Sequence, residues 1–196
     1  MQTGPHELSF PMTISPEVPP RGIVRCRPGE EIHDPRPGDI ILIRTGTWLG
    51  TFIRFFERLR YHTPADRPFA YWSHAALVVT NAGHLIEVAY AGVTISRIER
   101  YRRDEYHYVR LDLTEPARTK AVALARSCLK QKYGHRSFLL LALALLLGDR
   151  FQVPDNGEQG CVALIVRALQ AAGMSFDRGP ADMMPADLAK RFGVTP

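Results

Sequence analysis

Apolar residues occur along the chain in two patterns, short runs of about five residues and longer stretches at helical spacing. The short runs are rich in Ile, Val, Leu and Tyr, are bounded by turn-forming residues, and predict five strands. The predicted strands are Ile40–Arg44, His74–Val79, Leu85–Ala89, Val93–Ile98 and Tyr106–Leu113. The turn Arg36–Asp39 leads into the first of them, and the glycine-containing loop Thr80–Gly83 joins the second to the third.

One helix is predicted directly after the first strand. Trp48, Phe52, Phe55, Phe56 and Leu59 recur at helical spacing, with arginines between them. The first interpretation is an amphipathic helix whose apolar stripe packs against the core. The alternative is a lid or acyl-binding face that touches lipid.

Further helices follow the strands. Thr114 is a suitable N-cap, and Pro116 suits the first turn of the helix after it. A second helix begins at Cys161, and a short one is predicted over Pro185–Phe192. Strands clustered in the middle with helices on both sides are typical of an α+β domain, which we assign to residues 37–196.

The first 36 residues differ from the rest of the chain. Residues 1–37 hold more than half of the 15 prolines and show no apolar period. We therefore predict a proline-rich N-terminal arm over residues 1–36, wrapped on the domain or disordered. No basic segment followed by an apolar core is visible there, so no secretory signal is predicted and a cytoplasmic location is favoured.

Composition narrows the classes of partner. With 196 residues, 45% of them hydrophobic, the chain is long enough for one domain with a real core. The formal net charge of +5 suits anionic partners, but no run of lysines or arginines resembles a nucleic-acid arm, so nucleic acid is not expected. The oligomeric state is left open.

The longest apolar run is Phe138–Leu147. It is about half of the roughly 20 residues that a membrane-crossing helix needs. We interpret it as a buried helix, with a membrane-dipping element as the alternative.

The cysteines are Cys26, Cys128 and Cys161, an odd and widely spaced set that argues against a disulfide framework. Cys128 falls in a helical stripe and is predicted to be core. Cys161 follows the loop 155–160 and opens a helix, where unpaired N–H groups and the helix dipole favour a thiolate. The alternative is that Cys161 is a small buried apolar side chain like its neighbours.

A histidine and a glutamate are candidates for the base and its orienting group. His74 begins a strand that is otherwise apolar, and Glu87 is the one carboxylate of the next strand. If Val79 pairs with His84, Ala76 lies opposite Glu87, and His74 is one same-face step away. In that register Glu87 can orient the imidazole, whereas a slip by one residue puts it on the other face.

The other histidines have no such context and are predicted to lie on the surface: His6, His33, His62, His84, His107 and His135. No pair of them shows a ligand spacing such as H-E-x-x-H, so neither a metal nor another cofactor is predicted.

Together these segments resemble the NlpC-type papain-like superfamily, in the circularly permuted branch represented by YiiX-like proteins. In unpermuted members a cysteine-bearing helix precedes an Arg-Pro-Gly-Asp strand and then a histidine strand. Here Arg36–Ile41 and Ser73–Val79 come first and Cys161–Val166 comes last, the order of the permuted branch. The resemblance extends from about Pro37 to Phe192 and implies a central antiparallel sheet or small barrel packed against helices.

The resemblance also implies roles. Cys161 corresponds to the nucleophile, His74 to the base and Glu87 to the residue that orients it. Tyr133 resembles a tyrosine that lines the site in relatives, and Trp72, which opens the histidine segment, is predicted to contact substrate.

We therefore expect a cysteine hydrolase that cleaves an amide or ester bond through an acyl-enzyme. A cell-wall peptide and an acyl-amide or lipid are the substrate classes that the resemblance implies. One alternative is a lipid-linked acyltransferase of the lecithin:retinol acyltransferase type, with peripheral membrane contact. The other is a catalytically silent module that binds peptide or membrane, which is suggested by Val162 at a position that is often polar in the family.

Overall fold

Six antiparallel strands form one sheet in the computed structural model, which describes residues 22–61, 63–89, 92–129 and 160–196. Along the sheet the strands follow the order β1-β6-β2-β3-β4-β5. Their bounds are β1 (Gly22–Cys26), β2 (Ile40–Arg44), β3 (His74–Val78), β4 (His84–Ala89), β5 (Gly92–Arg97) and β6 (Glu105–Arg110).

The five predicted strands are confirmed, with small shifts at their ends. Strand β6 ends at Arg110 because the next amide, that of Leu111, donates to the Asp39 carboxylate at 3.0 Å instead of continuing the ladder. Strand β1 comes from the segment that was predicted to be an arm, and it pairs with β6 at one edge of the sheet.

Four α-helices lie among the described residues. They are α1 (Trp48–Arg60), α2 (Glu115–Ser127), α3 (Cys161–Ala171) and α4 (Pro185–Phe192). Short 3₁₀ helices span Arg67–Tyr71, Ile98–Tyr101 and Pro180–Asp182. Thr114 caps α2 as predicted, since its hydroxyl accepts from the amide of Ala117 at 3.4 Å.

The sheet is apolar on both faces, which explains why its central strand is a continuous apolar run. Ile40 to Ile43 of β2 all have no exposed surface. Alternate residues enter two clusters, one shared with the helices and one with aromatic residues on the opposite side. The first contains Ile40, Leu42, Leu77, Ile86, Val122, Leu164 and Ile165. The second contains Ile41, Ile43, Val78, Ile98, Tyr101, Tyr106 and Tyr108. The observed fold is therefore α+β, with an antiparallel sheet packed against helices.

The Arg36–Asp39 turn attaches α2 to the start of β2. Asp39 is fully buried and accepts from the Arg118 guanidinium of α2 at 2.7 Å and from the Tyr108 hydroxyl at 2.8 Å. Arg118 also donates to the carbonyl of Pro37 at 2.7 Å. Every charge in this buried pair is thus hydrogen-bonded, as burial of charge requires.

Gly38 lets the turn approach α2 closely. Its φ is +88°, a conformation that favours glycine. A Cβ at this position would lie 3.1 Å from Cγ and 3.3 Å from Cα of Arg118. Both the backbone conformation and the available space therefore require glycine here.

Helix α1 turns two residues of the predicted apolar stripe outward. Phe55 and Leu59 are each 58% exposed, whereas Gly50 and Glu57 are buried. The expectation that the apolar stripe packs on the core is wrong for Phe55 and Leu59. The physical reason is that the inner face of the helix carries polar anchors. One of them is Glu57, which accepts from the amide of Ala186 at the start of α4 at 3.0 Å.

Candidate active site

Cys161 is the first residue of α3, with Gly160 as the N-cap. It is half-buried, whereas the other two cysteines, Cys26 and Cys128, are buried, and all three are free thiols. The core position predicted for Cys128 is confirmed. The backbone N–H groups of Ala75 and Val162 act on the Cys161 thiol and lower its pKa. Together with the helix dipole they favour the thiolate.

His74 lies at the beginning of β3, opposite Ile43 of β2. Its Nε2 is 2.6 Å from Oε2 of Glu87. The Cys161 thiol is close enough to the imidazole that each group shifts the other's pKa. The imidazole therefore interacts with both a carboxylate and a sulfur.

The register between β3 and β4 is the one in which Val79 lies opposite His84, as considered from the sequence. Leu77 pairs with Ile86 and Val78 with Leu85, and the amide of Val79 donates to the carbonyl of His84 at 2.8 Å. Continuing this register by one residue sets position 76 opposite position 87. The predicted same-face approach of the base and the carboxylate is thus confirmed as geometry.

Glu87 is 2% exposed and is held by groups on three elements. Besides His74, the Tyr101 hydroxyl of a 3₁₀ helix donates a very short hydrogen bond to Oε2, and Arg100 Nη1 lies 3.9 Å from Oε1. Burial alone would raise the pKa of Glu87, but His74, Ser96 and Tyr101 outweigh it and lower the pKa to about 2. The carboxylate stays ionised and fixes the imidazole.

Sequence reasoning did not identify Tyr101 as part of the site. The residue lies 14 positions after Glu87, beyond β5, and no local spacing connects the two. Only the return of the chain through β5 and the 3₁₀ helix brings the hydroxyl to the carboxylate.

The thiol and the imidazole stabilise each other's charged forms. Burial would raise the pKa of Cys161, but the hydrogen bond and charge of His74 and the two backbone donors lower it below its usual value. Burial would likewise lower the pKa of His74, but its bonds to Cys161 and Glu87 raise it to about 10. Both shifts favour the thiolate–imidazolium form of the pair.

Trp72 lies in the core and is not open to solvent. It has no exposed surface, and its indole N–H donates to the carbonyl of Val194 at 3.0 Å. Its ring packs on His107 with centroids 4.5 Å apart. The substrate contact predicted for Trp72 is therefore replaced by a role in the core, because no face of the indole is open to a ligand.

His107 corrects a second prediction. It was expected on the surface, but it is 2% exposed, and burial lowers its pKa to about 4. Its strand β6 is covered on both sides by β1 and β2, which the local sequence does not reveal. His33, by contrast, is exposed as predicted.

Glu57 is a second buried carboxyl near the site that sequence reasoning missed. Burial raises the pKa of Glu57 well above its ordinary value, and the amide of Ala186 opposes this rise only in part. The negative charges of Asp187 and Cys161 add to the rise. The inner face of α1 is thus within electrostatic reach of the thiol.

Two predicted features, Tyr133 and the Leu-rich run Phe138–Leu147, lie outside the described residues. Within the described ranges, no helix combines the length and apolar character needed to cross a bilayer. In the same ranges, no three His, Cys, Asp or Glu side chains form a group that could hold a metal ion. Comparisons with protein-family models and with curated proteins found no match to this chain.

Proposed function

We propose that this protein is a cysteine hydrolase that cleaves an amide or ester bond, with a circularly permuted papain-like arrangement of its site. The observation that carries the proposal is the contact of His74 with Glu87 at 2.6 Å, together with the pKa shifts that His74 and the Cys161 thiol cause in each other. A Cys–His pair with a buried carboxylate behind it is the arrangement that nucleophilic acyl transfer uses.

In the proposed first step, the Cys161 thiolate attacks the substrate carbonyl carbon, and the carbonyl oxygen becomes an oxyanion. The backbone N–H of Cys161, in the first turn of α3, is suited to stabilise that charge. As the intermediate collapses, the carbon–leaving group bond breaks and His74 gives its proton to the leaving amine or alcohol. The product is a thioester acyl-enzyme.

In the proposed second step, water hydrolyses the thioester. The neutral His74 imidazole takes a proton from water, the resulting hydroxide adds to the acyl carbon, and the carbon–sulfur bond breaks. The products are a carboxylic acid and Cys161, with the proton on His74. Throughout, Glu87 keeps the imidazole oriented and stabilises its cationic form.

The experiment that tests the nucleophile is intact-protein mass spectrometry after incubation with a peptidyl vinyl sulfone. We expect one adduct on the wild type, none on Cys161→Ala, and slow labelling of His74→Ala. Cys128→Ala is the matched control, since it removes a buried thiol without touching the site, and it should label like the wild type. Adduct formation that survives Cys161→Ala would overturn the assignment.

A second experiment separates a hydrolase from a silent module. A 4-nitrophenyl ester should give a burst of nitrophenolate and an acyl adduct on Cys161, followed by steady turnover. If Cys161 alkylates readily but neither a burst nor an adduct is seen with any acyl donor tested, the binding-module alternative replaces the proposal.

Acyl transfer to an amine is the second candidate, and the outward face of α1 favours it. Phe55 and Leu59 are both well exposed on a helix that also carries Arg58 and Arg60, a composition that suits contact with lipid. Adding a primary amine during turnover distinguishes the two. An amide product formed at the expense of the free acid would indicate a transferase.

A further inference from the structure

Three arginines form a cluster where β2 ends and α1 begins. Arg44 is the last residue of β2, and Arg54 and Arg58 lie one turn apart on α1. Arg44 and Arg58 are exposed, and Arg54 is half-buried. We call these three residues the arginine cluster.

Neutral acceptors hold Arg54 next to Ser73, the residue before His74. Its Nη1 donates to the carbonyl of Thr45 at 2.8 Å and to the Ser73 hydroxyl at 3.3 Å, and its Nη2 donates to the Thr51 hydroxyl at 3.0 Å. Ser73 directly precedes His74 in the chain. These bonds fix the position of the guanidinium without neutralising its charge.

The positive charge of the cluster is only partly balanced among the described residues. Burial, followed by repulsion from Arg44 and Arg58, lowers the pKa of Arg54. The one ion pair of the cluster in these ranges joins Arg44 to Glu105 at 3.8 Å, and Arg44 also donates to the Tyr71 hydroxyl at 2.6 Å. An anion brought to the cluster would relieve the repulsion between the guanidinium groups.

Glu57 does not supply that anion. It lies one turn after Arg54 on the same helix, but its buried side chain faces α4, where it accepts from the Ala186 amide. The sheet register places the cluster near the imidazole. Arg44 directly follows Ile43, which pairs with His74 across β2 and β3, and Arg54 donates to Ser73, the residue before His74.

We propose that the arginine cluster binds an anionic group of the substrate, a carboxylate or a phosphate, while the scissile carbonyl lies at Cys161. The inference rests on the proposed function and names its substrate class: an amide or ester that carries negative charge near the bond that is cleaved. Arg58 and Arg44 present exposed guanidinium groups to the anion, and Arg54 anchors the cluster next to His74.

Alkylation of Cys161 by two reagents of nearly equal size tests this without requiring turnover. Iodoacetate is an anion and iodoacetamide is neutral. The rate with iodoacetate divided by the rate with iodoacetamide therefore reports on positive potential at the thiol. The ratio should fall by roughly threefold or more in Arg58→Gln, and further in the double variant with Arg54→Gln, because each change removes one unit of charge near the sulfur. Added salt should reduce the wild-type ratio.

Arg97→Gln is the matched control. It makes the same change in charge at the end of β5, where Arg97 pairs with Glu99 at 3.1 Å, and should leave the ratio unchanged. His74 also attracts iodoacetate, but equally in all these variants. Because Arg54→Gln removes structural hydrogen bonds, Arg58→Gln is the deciding variant. Arg54→Lys should restore most of the ratio if charge is what matters.

Protection experiments distinguish the source of the anion. Inorganic phosphate or acetate is added to the iodoacetamide reaction of the wild type and of Arg58→Gln. Stronger protection by phosphate points to a phosphate-bearing substrate, and stronger protection by acetate points to a carboxylate. Protection by either anion supports the proposal if it disappears in Arg58→Gln.

An unchanged alkylation ratio in Arg58→Gln and in the double variant would overturn the anion site, even if Cys161 forms an acyl-enzyme. Conversely, a ratio that falls as expected, in a protein that never forms an acyl-enzyme, would leave the anion site standing and remove the proposed hydrolase.

Discussion

His74 and Glu87 are 13 residues apart in the chain, and Nε2 of the one lies 2.6 Å from Oε2 of the other. The hairpin between β3 and β4 creates this contact, since its register places both side chains on the same face of the sheet. Across the same imidazole lies Cys161, which enters from a helix more than 70 residues further along the chain. The predictions below follow from these relationships.

Replacing His74 by Ala should raise the pKa of the Cys161 thiol toward that of a free cysteine. The imidazole is what outweighs burial at the thiol, and without it mainly backbone donors remain. Alkylation by iodoacetamide across a pH series measures this. The wild type should keep reacting at a pH where the variant has become slow. Identical profiles would mean that the imidazole does not act on the sulfur.

Replacing Glu87 by Gln should lower the pKa of His74 from about 10, because the variant removes a negative charge at 2.6 Å from Nε2. The thiolate–imidazolium pair then exists over a narrower pH range. The alkaline limb of kcat/KM should move to lower pH, and its maximum should fall by roughly tenfold or more. An alkaline limb at the same pH in both proteins would contradict the role given to Glu87.

Glu87 should also make stability depend on acid pH. Its pKa is about 2 in the folded protein against an ordinary value of 4.5, so the unfolded chain binds the proton more tightly. The stabilisation is complete above pH 4.5 and is lost as the pH falls toward 2, for a total of about 3 kcal/mol. Urea unfolding at several pH values should show a flatter dependence in Glu87→Gln. An equal pH dependence of the unfolding free energy in the two proteins would refute the lowered pKa of Glu87.

Replacing Asp39 by Ala should destabilise the fold by about 3–5 kcal/mol, because it leaves the buried Arg118 guanidinium without its carboxylate. Denaturant unfolding is the measurement. Glu99→Gln, which breaks the exposed pair with Arg97, is the comparison and should change stability by about 0.5 kcal/mol or less. Similar losses of stability in the two variants would show that the buried Asp39–Arg118 pair contributes no more than an exposed pair.

Replacing Trp72 by Phe should reduce stability and leave the KM for small substrates unchanged. The indole is fully buried and bonds the carbonyl of Val194, so its loss removes a hydrogen bond and packing on His107. Thermal unfolding and steady-state kinetics on the same samples separate the effects. A large rise in KM without loss of stability would restore the substrate contact predicted from the sequence.

Local patterns in the sequence were sufficient for most elements. Strands such as Ile40–Arg44 follow from short apolar runs between turns, and α2 follows from its cap at Thr114. Both features depend on neighbours a few residues away, which is the range over which side-chain period and capping act. The sequence also offered the register that brings His74 to Glu87, but a slip by one residue would have put Glu87 on the other face, and the sequence left both open.

The burial of single side chains could not be read from local pattern. His107 and Trp72 look accessible in sequence, yet both are enclosed, because β6 and the segment before β3 lie in the interior. Phe55 and Leu59 look like core residues but face outward, because Glu57 ties the opposite face of α1 to α4. In each case the partner is distant in the chain.

The sequence by itself determined most of the strands and helices and the α+β class, because period and caps act over a few residues. Only the tertiary structure decided which register brings His74 to Glu87, that the Cys161 thiol lies close to that imidazole, and that Tyr101 completes the carboxylate's surroundings. These contacts depend on burial and charge between segments far apart in the chain, and such forces act only once the segments are packed together.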